Sequence, residues 1–174
     1  MRTKTEKLLS VMNVLAWVTF IGLMIKAGAI LISYGVSTVN PQAAKNLYKG
    51  KDLYNLWEFS FWHYTWTVSF TVAMLLLEAY IAFLVIKVLS KIKLSNPFTV
   101  EVSNILEKIS YIIFGTWITA MLYNAHSRWL TKRVPDVDLN LVSGEFIFLA
   151  GVVFVIAQIF KKGIEIQSEN ELTV

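Results

Sequence analysis

The chain has no cysteine, only three prolines, and a charged fraction of just 16%. Without cysteine there is no disulfide framework, no thiolate metal site and no thiol redox chemistry. No nucleophile elbow, phosphate-binding glycine loop or HExxH pair is present. The only aspartates, Asp52, Asp136 and Asp138, fall in connecting segments. A pair of intramembrane aspartates for proteolysis is therefore missing, and no enzymatic activity and no cofactor are expected. No contiguous basic stretch exists to neutralise a row of phosphates, which argues against direct nucleic-acid binding. No internal repeat or low-complexity region appears.

Apolar residues, by contrast, make up 56% of the 174 residues, above the roughly 45–50% usual for soluble domains. A unit this small has limited interior in which to hide the excess. Lipid resolves the conflict. Four apolar segments run from about Leu9 to Tyr34, Tyr64 to Val88, Ser110 to Leu130 and Asn140 to Phe160. Each reaches the roughly 20 residues that a helix needs to cross the hydrocarbon core. Runs such as Ala73-Met74-Leu75-Leu76-Leu77 do not alternate in polarity, as barrel strands would. No proline interrupts a segment. The expected fold is an all-α membrane protein, a single four-transmembrane-helix bundle over residues 1–174. The N-terminal apolar run continues past Ala27-Gly28-Ala29, too long for a cleaved signal, so it is read as an uncleaved first span.

Lysine and arginine placement sets the expected orientation. One side holds Arg2, Lys4, Lys7, Lys87, Lys91, Lys93, Lys108, Lys161 and Lys162; the other holds Lys45, Lys49, Lys51, Arg128, Lys132 and Arg133. The first set outnumbers the second, which predicts both termini in the cytoplasm of a cell membrane.

The connection Gly35 to His63 then lies outside. It ends in Trp57, Phe59, Phe61, Trp62, Tyr64 and Trp66, a density suited to an interfacial belt or to a ligand-binding aromatic surface. The alternation of Trp57, Phe59 and Phe61 also permits a short strand and a small hairpin. On the other side, Asn96 and Pro97 suit a helix start before the third span. Val102, Ile105, Leu106 and Ile109 follow at helical spacing. This predicts an amphipathic extension that docks on its own bundle or offers a partner surface. The tail after Phe160 is basic, then acidic, and is read as loose or as pairing with the basic second connection.

The Asn96-Pro97-Phe98-Thr99 entry and the Phe160-Lys161-Lys162-Gly163 exit, with its acidic tail through Glu165, Glu169 and Glu171 to Leu172-Thr173-Val174, resemble a bacterial four-helix membrane-protein family. It is the domain of unknown function numbered twenty-nine seventy-five. The likeness is best from about residue 83 onwards. Where the family often has an Asn three residues after the motif Thr, this chain has Val102, with Asn104 off register. Members are often encoded beside a small helix-turn-helix regulator. The resemblance implies a membrane partner that senses a signal and holds or releases a transcription factor. Read from the residues alone, a small ion- or proton-coupled transporter using Glu78 and a structural subunit of a membrane complex are the alternatives. Asn96, Pro97, Phe98, Thr99, Glu101, Gly163, Glu165, Glu169 and Glu171 form the expected partner surface.

Ionisable residues inside a span are functional candidates, because a charge there costs about 2.5–3.5 kcal/mol even on the mildest scale. Glu78 lies mid-span, and Lys26 is its expected neighbour. From the inner boundary Lys26 stands about 28 Å up and Glu78 about 20 Å, and a leaning lysine stem covers part of that offset. Glu78 is read as a structural ion pair or interhelical hydrogen bond, a coupled transport group, or a ligand contact. A second polar cluster, His63, Asn124, His126, Arg128 and Glu145, is placed near the outer surface. It reads as interfacial polarity or as a ligand pocket. Two histidines and Glu145 hold a metal only weakly by this pattern, so no metal is expected.

Overall fold

The computed structural model describes residues 4–92, 98–137, 139 and 141–172. Asn96 and Pro97, the expected helix start, lie outside these residues, as does Asn140. Among these residues there are five α-helices: α1 (Lys4–Val39), α2 (Tyr54–Phe59), α3 (Phe61–Lys91), α4 (Val100–Thr131) and α5 (Phe146–Leu172). A 3₁₀ turn spans Pro41–Asn46. No strand occurs among the described residues.

Four helices, α1, α3, α4 and α5, are long and apolar enough to span a bilayer. α1 is apolar all round: Val14, Ile25 and Ile32 are 60%, 64% and 71% exposed. In water such a helix would have no stable face, whereas in lipid every face is satisfied. Backbone groups bonded within the helix need no partner from the membrane.

The chain divides into two compact units. One comprises Met1–Phe20, Ala79–Gly115 and Glu145–Val174; the other comprises Ile21–Glu78 and Thr116–Gly144. We call them the terminal unit and the central unit.

The central unit buries Ile30, Leu47, Leu53, Leu56, Tyr64 and Leu130 almost completely. The long connection after α1 is ordered by local polar contacts. Asn40 caps the 3₁₀ turn through Gln42 N–H at 3.2 Å, with Pro41 opening it, where the missing N–H costs nothing. Lys49 and Gly50 both take positive φ, 48° and 82°, and the Lys51 N–H closes the turn onto the Tyr48 carbonyl at 3.1 Å. Leu53 N–H donates to the Ala44 carbonyl, which seats Leu53 in the core. On α2 the Glu58 carboxylate accepts from the Tyr54 hydroxyl and raises that phenol above its ordinary pKa.

The short strand and hairpin that the alternation of Trp57, Phe59 and Phe61 permits do not form. Trp57 and Phe59 belong to α2, and Phe61 opens α3. Leu53 and Leu56, at helical spacing, are both fully buried, and a helix satisfies its own backbone where a lone strand would not. Tyr64, expected in an interfacial belt, is fully buried instead, while Trp62 and Trp66 stay exposed. The Tyr64 hydroxyl shares a 2.8 Å hydrogen bond with Ser37, and Tyr34 shares one of 3.0 Å with Thr65. These bonds join α1 to α3.

The fourth long helix begins at Phe146, later than the expected 140. The Asn124 side chain accepts from Val142 N–H at 2.9 Å and donates to Val142 C=O at 2.8 Å. Both backbone groups of Val142 are thereby taken out of helical pairing.

The terminal unit centres on Leu84, Val88, Val102, Ile109, Ile113 and Ala150. Small residues contribute to its α4–α5 contact. Ser110 donates to the Ala150 carbonyl at 2.9 Å and Ser103 to the Ala157 carbonyl at 3.4 Å. A step from Ser103 to Ser110 along α4 matches the step from Ala157 to Ala150 along α5. The two helices therefore run antiparallel, and small side chains let their backbones approach.

Candidate functional site

The firmest constellation joins the two ends of the family-like motifs. Phe98, just before α4, lies against α5. A β-carbon built on Gly163 would stand 2.6 Å from the Phe98 ring, which no ordinary contact permits. The Phe98 and Phe160 rings meet edge to face at 5.2 Å, a favoured geometry for aromatic quadrupoles. Phe160 and Gly163 are three residues apart on α5, so both lie on one face. The phenylalanine of the entry motif thus fills a seat made by the phenylalanine and glycine of the exit motif. Thr99 caps the start of α4, with Oγ1 accepting from Val102 N–H at 3.3 Å.

Two ion pairs flank this seat. Lys161 Nζ bonds Glu107 Oε2 at 2.8 Å, and Glu101 pairs with Lys91. The polarity is the reverse of the expected one: a basic residue of the tail meets an acidic residue of α4. Glu165 pairs within its own helix, with Lys162 at 2.7 Å. The tail is helical to Leu172 rather than loose, because Gly163 carries α5 beneath Phe98 without interruption. Glu169 lies on this same helix. The side chain of Glu171 is outside the described residues. Val102, where a family Asn was expected, is fully buried, a position that calls for an apolar side chain.

Lys26 and Glu78 both belong to the central unit. Glu78 is half-buried and Lys26 is exposed. No ion pair joins them; the charge of Lys26 acts on Glu78 through space.

The outer cluster is only partly assembled. His63 and His126 come together, with ring centroids 5.4 Å apart. Trp129 lies 4.9 Å from His63 and stacks on His126 at 6.4 Å. His63 Nδ1 and His126 Nε2 are buried without a hydrogen-bond partner. Burying such groups unpaired is costly, which makes this pair the clearest polar anomaly of the central unit. Both ends of the Asn124 amide hold Val142. Arg128 is exposed, and the arginine that reaches the aromatic group is Arg133, 3.9 Å above the Trp129 ring. Glu145 belongs to the terminal unit and is exposed. Among the described residues, no three His, Asp or Glu side chains gather as a metal-ligand set.

Sequence reading missed the roles of Trp129, Arg133, Ser103, Ser110 and the Glu107–Lys161 pair. The serines carried a signal, since they sit at helical spacing among apolar neighbours. The Arg133–Trp129 contact carried none.

Four long apolar helices define an all-helical, multi-pass membrane protein. The family model described as protein of unknown function (DUF2975) matches residues 47–174, and the chain belongs to that family. The match includes both motifs that meet at Phe98 and Gly163, and it starts well before residue 83. No curated protein and no solved structure matches the chain.

Proposed function

We propose that this chain is a non-enzymatic sensor or regulator of the cell membrane, with both termini cytoplasmic. It acts with a cytoplasmic partner, a small helix-turn-helix transcription factor. The seating of Phe98 on Gly163 carries this reading. It brings Phe98 of the entry motif against Phe160 and Gly163 of the exit motif, on a helix that continues past the apolar segment. Glu101 and Glu165 are solvent-facing there, with side chains 60% exposed, and Ile166 is half exposed. Such a mixed charged and apolar surface suits a protein partner. The excess of lysine and arginine on the terminal side supports the orientation. The His63–His126 pair of the central unit offers a place for a signal to be received.

Pull-down of a small DNA-binding protein with the intact membrane protein tests the proposal. Retention is expected, with loss on deletion of residues 163–174. If nothing is retained, and the deletion leaves transcription unchanged, the reading fails.

A second reading, a small ion- or proton-coupled carrier, draws on one observation: Glu78 is half-buried in a span without an ion pair. Flux into liposomes by the intact protein and by Glu78→Gln decides it. Equal flux ends the carrier reading.

A further inference from the structure

We propose that the cleft between the end of α3 and the start of α4, within the terminal unit, binds a phosphate-bearing anion. The cleft has a volume of about 380 Å³ and is lined by Tyr80, Leu84, Lys87 and Lys91 from α3, and by Glu101, Asn104, Ile105 and Lys108 from α4. The spacings are those of single helix faces: Tyr80, Leu84, Lys87 and Lys91 on one side, Glu101, Asn104, Ile105 and Lys108 on the other. Leu84 and Ile105 give it an apolar wall.

Three lysines against one glutamate leave the cleft two charges positive. Lys91 is neutralised by Glu101. Lys87 and Lys108 have no carboxylate partner among the described residues. Their ammonium groups lie over aromatic rings instead, Lys87 at 4.7 Å from Phe83 and Lys108 at 5.3 Å from Tyr80. Two unpaired like charges on facing walls repel, and an anion between them removes the repulsion. A phosphate matches in charge, lysine binds it as a point charge, and the Asn104 amide adds hydrogen-bond donors. Lys87 follows the apolar stretch of α3 directly, at the level where a bilayer presents phosphates. A lipid headgroup and a water-soluble phosphate ester share this chemistry.

Native mass spectrometry of the full chain in a neutral detergent separates the sources. The probes are phosphatidylglycerol, phosphatidylcholine and glycerol 3-phosphate. A lysine near an anionic surface is worth roughly a fivefold gain in binding. K87Q/K108Q is therefore expected to bind the anionic probe about 25-fold more weakly than the wild type, while K87R/K108R retains binding. Lysine-dependent binding of phosphatidylglycerol alone identifies a headgroup site. Lysine-dependent binding of glycerol 3-phosphate, in competition with the lipid, identifies a soluble phosphate ester. Either upholds the cleft. Equal affinity of wild type and K87Q/K108Q for both anionic probes overturns it. So does an equal loss in K4Q/K7Q, which alters charge elsewhere.

Discussion

Phe98 lies over Gly163 so closely that a β-carbon there would come within 2.6 Å of its ring. Two short motifs, far apart in the chain, are thereby a single structural feature. The entry motif supplies the aromatic ring, and the exit motif supplies the absence of a side chain beneath it.

Gly163→Ala sets two effects against each other. Alanine in a helix interior gains about 1 kcal/mol over glycine. Forcing a methyl into a filled contact costs about 1–3 kcal/mol. The clash is expected to prevail, with a net loss of about 1 kcal/mol in thermal unfolding in detergent. In the background of Phe98→Ala the same change should stabilise instead, since the obstructing ring is gone. A stabilising effect in both backgrounds would show that the ring yields freely.

Ser110→Ala removes the 2.9 Å bond to the Ala150 carbonyl without adding bulk. A loss of about 0.6 kcal/mol is expected, typical of interhelical hydrogen bonds in membranes. Ser110→Leu adds bulk where the residue is 5% exposed, and should cost several-fold more. Equal midpoints for the two variants would mean that α4 and α5 do not depend on close approach here.

Asn124→Ala strips both hydrogen bonds from Val142. A buried backbone group left unsatisfied costs about 1–3 kcal/mol. The expected result is a lower unfolding midpoint and faster proteolysis between residues 132 and 145. Asn124→Asp keeps the acceptor and loses the donor, so it should fall between. Unchanged cleavage in Asn124→Ala would remove the clamp from the account.

Lys26→Met and Glu78→Gln test a different point. Residues in direct contact couple by about 0.5–3 kcal/mol, whereas separated ones add within about 0.3–0.5 kcal/mol. With no ion pair between these two, only the through-space charge effect links them, and their coupling should stay at the low end of that range, about 0.5 kcal/mol. A strong coupling in the double variant would establish contact between them.

Some of these features were legible in the chain. Glu78 stands out because a carboxylate amid Leu77 and Ala79 is expensive in lipid. Phe98 and Gly163 stand out as parts of motifs. Their contact does not, because nothing local relates residue 98 to residue 163. Trp57, Phe59 and Phe61 show the opposite failure. Their alternation is genuine, yet burial of Leu53 and Leu56 in the central unit decided for helix. Asn124 reads in the sequence as interfacial polarity or part of a ligand pocket near a span end, and becomes a clamp only when Val142 is brought to it.

The sequence by itself determined the four spanning helices. Length and uniform apolarity are properties of each segment alone, and lipid asks nothing else of them. The tertiary structure decided which polar groups are used up and which remain. It gave Asn124 to Val142 and Glu107 to Lys161, left His63 Nδ1 and His126 Nε2 unpartnered, and placed Phe98 over Gly163. Hydrogen bonds and ring contacts are short-range and directional, so they are fixed only when distant segments meet.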